Sequence, residues 1–280
     1  MKRIFTLCVA LCTIITGFAQ TDTTGKQNTS STSDTIRIGG MIIIRKPGSK
    51  DKEIIKDKEY KMNSRRGGKS SNLTTNWWIL DLGFSNYKDE SNYVTAASSR
   101  FVAPGINKDD LKLRSGKSRN VNIWFFMQKL NIAKHVLNLK YGMGIELNNY
   151  NFENTKLAFT KNPTFISNGT TDFKKVKLAA DYVTVPIMLN INFTPNRKRG
   201  FSLSGGISAG YLYSARYKTV DGKDDKKNKN DFDLEPFKLS YIGELALGPV
   251  RLYGSYAIKN MWEKGLDMTP FNVGFRFSNW

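Results

Sequence analysis

The sequence predicts an all-β fold, an eight-stranded antiparallel transmembrane β-barrel with a disordered N-terminal leader. From residue 76 onward, apolar side chains recur at every second position, as in strands with one apolar face. The connections between these segments alternate between long and short, which is typical of outer-membrane barrels. The segment Phe271–Trp280 repeats the alternation and ends on an aromatic residue.

The N-terminal segment has the pattern of a cleaved signal peptide, predicted for residues 1–19. Lys2 and Arg3 precede an apolar run from Ile4 to Phe18, and Ala19 supplies a small residue for cleavage. The run has about 15 residues, whereas a membrane helix needs roughly 20. A chain exported in this way and placed in a membrane would cross it with strands, so we expect it in the cell outer membrane.

The positions of the cysteines and the net charge limit the kinds of site that the mature chain can contain. Cys8 and Cys12 both lie in the predicted signal peptide, so disulfides, thiolate catalysis and cysteine-ligated metals are not expected in the mature chain. The formal charge is +19, and removal of Lys2 and Arg3 leaves +17.

Residues 20–75 are predicted to form a flexible periplasmic leader. Thr21–Ser33 is rich in Ser, Thr, Asp, Gln and Asn, a composition that buries too little apolar area to fold. Thr35–Arg45 (TIRIGGMIIIR) predicts a short strand or a partner-binding segment, and a lysine-rich stretch follows. The leader is interpreted as a solvated linker, or as a tether to periplasmic partners such as acidic envelope polymers.

The barrel domain, residues 76–280, is divided into strands by its outward apolar rows. Each predicted strand is about 9 to 14 residues long, which suits a tilted strand that crosses the hydrocarbon core. The first four rows are Trp78, Leu80, Leu82 and Phe84; Val121, Ile123, Phe125 and Met127; Leu137, Leu139, Tyr141, Met143, Ile145 and Leu147; and Val183, Val185, Ile187, Leu189, Ile191 and Phe193. The next two are Phe201, Leu203, Ile207, Ala209, Tyr211 and Tyr213; and Phe237, Leu239, Tyr241, Leu245 and Leu247.

The last two predicted strands are Val250–Ile258, whose inward and outward positions remain open, and the terminal segment. Long connections are predicted at about 88–118, 151–174, 218–234 and 259–270, and short turns at 130–133, 194–200 and 248–249. Since outer-membrane barrels place long loops outside and short turns in the periplasm, this alternation also predicts the topology.

The segment Tyr182–Leu189 (YVTVPIML) resembles the Tyr-Leu-Glu-Ile-Pro-Leu-Leu-Leu strand of an outer-membrane β-barrel domain family common in Bacteroidetes, often labelled porin-family or PorT-like. Thr184 stands where that family usually has Glu. The segments from Gly205 to Tyr211 and from Leu252 to Asn260 are also similar to this family. The resemblance covers about residues 76–280 and implies a barrel in the outer membrane, without an assigned activity.

Charged residues are predicted inside the barrel. An eight-stranded barrel is just wide enough for its own side chains to fill, so we expect a closed lumen. Burial of unpaired charges would cost several kcal/mol each, which predicts a paired, structural network. The inward positions assigned to it are Asp81, Lys140, Glu146, Glu244, Arg251 and Arg276.

Catalysis is not expected. Lipid A-modifying enzymes of this size need a histidine beside a serine or a carboxylate, and the single histidine, His135, is predicted at the periplasmic end, away from the outer leaflet. No phosphate loop or metal-ligand spacing is present in the sequence, so no cofactor is predicted. The expected role is structural, adhesive or envelope-interacting, and the alternatives are a lipid A-modifying enzyme or a narrow pore associated with transport.

The third long loop carries a basic cluster that could contact lipopolysaccharide phosphates or remain solvated. The expected partners are outer-membrane lipid and lipopolysaccharide, the barrel-assembly machinery and periplasmic partners of the leader. Nucleic acid is not an expected partner, because the basic residues are dispersed and no recognition fold is indicated. The candidate anion contacts are Lys218, Lys223, Lys226, Lys227 and Lys229.

Overall fold

The computed structural model describes residues 35–38, 41–44, 71–161, 163–197, 200–221 and 224–278. The predicted signal peptide and the predicted disorder of residues 21–33 lie outside these ranges. The chain divides into two units, Met1–Arg66 and Gly67–Trp280. In the first unit, β1 (Thr35–Ile38) and β2 (Met41–Ile44) pair as an antiparallel hairpin. The apolar segment Thr35–Arg45 therefore contains two strands where the sequence predicted one.

The second unit is built almost entirely from strands. In chain order its elements are β3 (Leu73–Asp89), α1 (Tyr93–Ser98), β4 (Arg119–Ala133), β5 (Leu137–Asn151), β6 (Leu157–Phe159), β7 (Ile166–Asn168), β8 (Lys175–Asn192), β9 (Phe201–Asp221), β10 (Asp224–Lys229), β11 (Phe237–Leu247), β12 (Val250–Ala257) and β13 (Met268–Phe277). Within the described ranges, no helix is long and apolar enough to span a lipid bilayer.

Eight of these strands close into an antiparallel barrel. β3, β4, β5, β8, β9, β11, β12 and β13 each pair with the next in this order, and β13 returns to pair with β3. The predicted fold class is confirmed. Closure leaves no unpaired sheet edge in the hydrocarbon core, which is the condition for a strand-built membrane span.

The outward rows form an apolar belt, as the alternation predicts. On β8, for example, Leu189 is 54% exposed while the next residue, Asn190, is 2% exposed. The terminal strand β13 behaves in the same way: Val273 and Phe275 face outward, and Asn272 and Arg276 are buried. The sequence period therefore places polar groups in the interior and apolar groups against lipid.

A β-bulge in β4 makes one predicted position wrong. The pairing of β4 with β5 shifts between Trp124 and Phe126, so the alternation changes phase at this point. Met127 was predicted to face outward, but it is fully buried in the interior. It packs there in a small apolar cluster with Ile79, Trp124 and Met188.

The structure shows which residues of β12 face inward and which face outward, a point that the sequence left open. Arg251, Tyr253 and Ala257 are buried, and Tyr256 is exposed. Odd-numbered residues of β12 therefore face the interior.

Two connections differ from their predicted limits. β4 continues to Ala133, and the turn that follows contains Lys134 and His135, both with positive φ. The third long connection was predicted to begin at Lys218, but β9 continues to Asp221 and pairs with β10. The strand pairs of this hairpin extend the sheet beyond the predicted span.

The long connections form a packed cap at one end of the barrel. Asn92 caps α1 by accepting a hydrogen bond from the Thr95 amide, and β6 pairs with β7. Apolar side chains from all four long connections and from the adjacent strand ends form one buried cluster. Its members include Phe101, Val102, Leu111, Leu113, Tyr150, Phe152, Leu157, Phe159, Ile166, Leu178, Tyr217, Phe232, Leu234, Met261, Trp262 and Leu266.

Candidate functional site: the barrel interior and its cap

An arginine on the last strand joins two buried carboxylates at the centre of the barrel. Alternation on β13 and β3 brings Arg276 and Asp81 to directly opposed inward positions. Arg276 Nε and Nη2 donate to Asp81 Oδ1 and Oδ2, each at 2.7 Å. Its Nη1 donates to Glu244 Oε2 on β11, also at 2.7 Å. The two parallel hydrogen bonds to Asp81 form a bidentate ion pair, which is the strong type for arginine.

Glu244 is the point where several cations meet. Lys140 Nζ, on β5, donates to Glu244 Oε1 at 2.9 Å and to Ser204 Oγ at 3.2 Å. Arg251 Nη1 contacts the same carboxylate oxygen at 3.3 Å. Five of the six predicted interior residues thus form one connected cluster, which we call the central charge cluster: Asp81, Lys140, Glu244, Arg251 and Arg276.

Glu146 pairs with Lys238, a lysine that was not among the predicted interior charges. Lys238 on β11 donates from Nζ to Glu146 Oε1. Lys238 lies between the outward residues Phe237 and Leu239, so its inward position was readable from the alternation. The interior therefore contains one more base than predicted, in addition to the three acids and three bases that were assigned to it.

Asparagine side chains connect the central charge cluster to Glu146. Asn122 Nδ2 donates to Asp81 Oδ2 at 3.2 Å, and Asn120 Nδ2 donates to Asn122 Oδ1 at 2.9 Å. Asn120 Nδ2 also donates to Asn148 Oδ1 at 2.9 Å, and Asn148 Nδ2 reaches Glu146 Oε1 at 3.0 Å. The hydrogen bonds therefore connect the two carboxylates across the neighbouring strands β3, β4 and β5.

This arrangement links strands that are not neighbours in the sheet. Removal of one partner from a buried ion pair typically costs about 3–5 kcal/mol, because the other charge is left without compensation. The interior polar groups thus hold opposite walls of the barrel together.

The cap closes the loop end with aromatic packing. Trp262 meets Phe101 edge-on, with ring centroids 5.5 Å apart, and lies parallel to Phe159 at 6.3 Å. Gly265 has a φ of +88°, and a Cβ at this position would lie 2.2 Å from Phe101 Cγ. Any larger residue would therefore displace the cap.

Polar groups of the long connections are also anchored. Tyr217 OH donates to the Leu157 carbonyl at 2.7 Å. Tyr93 OH donates to Asp89 Oδ2 at 2.6 Å, and burial, together with this carboxylate, raises the pKa of Tyr93. The long connections are thus a folded part of the protein.

The candidate surface lysines lie on the extended hairpin. Lys218 is on β9, directly opposite Lys227 on β10, and Lys226 and Lys229 are also on β10. Lys223 lies outside the described residues. His135 lies in the turn between β4 and β5, at the opposite end from the cap. Among the described residues, no group of three or more His, Cys, Asp or Glu side chains could hold a metal ion.

A closed barrel with an apolar outer belt and a polar interior defines an outer-membrane β-barrel protein. The family described as "Outer membrane protein beta-barrel domain" matches residues 76–262 of the sequence. The chain belongs to this family, and the family indicates location in the outer membrane. A comparison with curated proteins finds no match.

Proposed function

We propose that this outer-membrane protein is a closed barrel that acts by interaction at its capped end, without passing solutes and without catalysis. The observation that carries the proposal is the filled interior. Asp81, Arg276 and Glu244 are buried and joined by hydrogen bonds across the lumen. Beyond them, the apolar cap cluster occupies the loop end.

The energetics of the central charge cluster support a non-conducting barrel. A solute would have to displace ion-paired side chains, and each charge left uncompensated in such a site costs several kcal/mol. An eight-stranded barrel has little room for a path beside them. A narrow pore is therefore the less favoured function.

The folded cap supports an interaction role. A loop end packed around its own core presents a surface of fixed shape, and binding residues are often carried by loops on a rigid scaffold. Outer-membrane lipid and lipopolysaccharide are the partners available at this end, while residues 20–75 would serve periplasmic partners. The resemblance of Tyr182–Leu189 supports placement among the porin-family or PorT-like proteins of Bacteroidetes.

The position of His135 supports a non-catalytic role. A lipid A-modifying site acting in the outer leaflet belongs at the loop end, whereas His135 lies in a turn at the other end. A general base must be within hydrogen-bond reach of the proton that it removes. The distance of His135 from the loop end supports the proposal that the barrel is not such an enzyme.

Planar-bilayer recording of the purified protein tests this proposal. We expect no conductance steps under conditions in which a general porin gives them. The same preparation, incubated with lipopolysaccharide, should leave the lipid A mass spectrum unchanged. Reproducible conductance would overturn the closed barrel, and new lipid A masses would overturn the absence of catalysis.

A further inference from the structure

Basic side chains surround a recess on the outer wall of the barrel, near the loop end. The recess has a volume of about 450 Å³, and none of the residues that line it is acidic. Lys175 and Lys177 face outward, because their neighbour Val176 is buried in the cap cluster. We call this feature the basic recess, and its lining residues are Arg114, Lys117, Arg119, Asn151, Phe152, Lys174, Lys175 and Lys177.

Hydrogen bonds to backbone carbonyls hold the three chain segments of the basic recess together. The Arg114 amide donates to the Asn151 carbonyl at 2.8 Å, and Asn151 Nδ2 donates to the Lys117 carbonyl at 2.6 Å. The Phe152 amide donates to the Val176 carbonyl at 3.1 Å. The recess is therefore formed before any ligand arrives, which lowers the entropic cost of binding.

The cations of the basic recess are poorly neutralised by the protein. In the described part of the chain, the side chains of Lys117, Arg119, Lys174 and Lys175 form no ion pair with an acidic residue. Lys177 Nζ donates to the neutral Asn149 Oδ1 at 2.7 Å. Like charges placed close together on a sheet are destabilising, so a bound anion would stabilise this arrangement.

The positive charge continues along the neighbouring strands. Lys177 on β8 lies directly opposite Lys218 on β9, and Lys218 lies directly opposite Lys227 on β10. Directly opposed residues share one face of a sheet. The basic recess is thus the concave end of a longer row of cations.

The basic recess lies beyond the outward apolar rows, on the side of the loop end, where lipid headgroups are expected. On β8 the outward apolar row runs from Val183 to Phe193, about 25 Å along the barrel axis for a strand rising ~3.3 Å per residue at a tilt near 40°. Arg119 lies two residues beyond the apolar Val121 on β4, and Lys177 lies six residues beyond Val183 on β8. These steps correspond to roughly 7 and 20 Å of strand.

We propose that the basic recess binds the phosphate groups of an outer-leaflet glycolipid headgroup, whose acyl chains lie against the apolar belt below. Arginine and lysine together suit this chemistry, because the guanidinium fork can bind two phosphate oxygens while ammonium groups add point charges. The inference rests on the proposed interaction role of the capped end and names its partner class. A free phosphate ion offers the same chemistry, so the test must separate the two sources.

The test compares three variants of the full chain, two with four substitutions and one with three, each extracted from outer membranes in detergent. The recess variant replaces its cations without ion pairs: Lys117→Gln, Arg119→Gln, Lys174→Gln and Lys175→Gln. A matched control removes the same charge from exposed lysines elsewhere on the cap: Lys108→Gln, Lys156→Gln, Lys161→Gln and Lys264→Gln. A hairpin variant tests the sequence-based candidates: Lys226→Gln, Lys227→Gln and Lys229→Gln.

Binding of fluorescent lipopolysaccharide is measured for each variant, with the enzymatically dephosphorylated lipid and inorganic phosphate as competitors. We expect the recess variant to bind at least about tenfold more weakly and the matched control to stay within about twofold of wild type. Dephosphorylated lipid should compete poorly. Inorganic phosphate should compete only at concentrations far above those of the intact lipid.

Several results would overturn the inference. These are unchanged binding in the recess variant, a larger loss in the hairpin variant, equal competition by dephosphorylated lipid, or equal competition by inorganic phosphate. Heat-modifiable gel mobility checks that each variant still forms the barrel. Conductance by the wild-type protein would refute the closed barrel separately, since it would leave the lipid-binding result unaffected.

Discussion

Arg276 shows how much of the interior depends on a single side chain. Its guanidinium donates to both Asp81 and Glu244, so one cation joins two buried carboxylates. Arg251 offers a comparison in the same cluster, because the carboxylate that it contacts, Glu244, also has Lys140 and Arg276 as partners. The two arginines should therefore differ in their importance for stability.

Replacement of Arg276 by Met is expected to lower the free energy of unfolding by about 3–5 kcal/mol, because the buried Asp81 loses its paired cation. The measurement is urea unfolding in lipid vesicles, followed by heat-modifiable gel mobility. Arg251→Met is the matched control, with a smaller expected loss, because Glu244 keeps its ion pairs with Lys140 and Arg276. Equal losses in the two variants would contradict the role assigned to Arg276.

The alternation of the strands predicted the inward or outward position of some residues correctly and of others incorrectly. Asp81, Lys140, Glu146, Glu244, Arg251 and Arg276 were assigned inward by alternation, and the structure buries all six. Lys238 has an equally clear inward position but was not selected. Met127 was assigned to the wrong face, because a bulge upstream changes the phase of its strand. A bulge depends on how a strand pairs with its neighbour, so the alternation along a single strand does not predict it.

At the scale of elements, the long connections depart furthest from expectation. The third was expected to be a loop of lysines, yet β9 and β10 extend into it, and Phe232 and Leu234 return to the apolar cluster. Trp262 occupies the centre of this cap, with ring contacts to Phe101 and Phe159. The cap is therefore a second core, separate from the charged interior.

Replacement of Trp262 by Ala is expected to open the cap while leaving the barrel intact. Deletion of a buried tryptophan ring typically costs about 3–5 kcal/mol, and here the loss falls on loops that can unfold locally. Limited proteolysis in detergent should cleave the long connections at least about tenfold faster, because the opened population rises with that energy. Heat-modifiable mobility should be unchanged.

The control for this experiment is Val94→Ala, which also shortens an apolar side chain in the cap. Val94 is 79% exposed on α1, so its replacement removes little packing. We expect its proteolysis to match wild type. If Trp262→Ala were as resistant as Val94→Ala, the cap would not depend on the apolar cluster.

At the scale of the whole molecule, the two ends of the barrel differ in their connections. The end with the cap carries the long connections, and the other end carries the turns at residues 134–136, 193–200 and 248–249. Outer-membrane barrels place long loops outside the cell. The capped end should therefore face the exterior.

Single-cysteine labelling checks this topology. Lys161→Cys lies on the capped end and Asn196→Cys lies in a turn at the other end, and both positions are exposed. A membrane-impermeant maleimide should label Lys161→Cys in intact cells, whereas Asn196→Cys should react only after permeabilisation. The unmodified protein provides the background, because its two cysteines, Cys8 and Cys12, lie in the predicted signal peptide. The reverse labelling pattern would invert the proposed orientation.

The sequence by itself determined the closed antiparallel barrel, the apolar belt and the polar interior. Each of these follows from a period of two residues, which is a local property of the chain. Alternation along β13, for example, already placed Phe275 outward and Arg276 inward. The same alternation, together with the loop lengths, also indicated the outer membrane.

Only the tertiary structure decided which interior groups meet and what the long connections do. Lys140 on β5 reaches Glu244 on β11 across the lumen, and Lys238 reaches Glu146 in the same way. Trp262 packs against Phe101 and Phe159, and the three residues belong to three different long connections. Such contacts depend on barrel closure, strand register and bulges, which bring together residues far apart in the chain. The period of a single strand contains no information about that distant pairing.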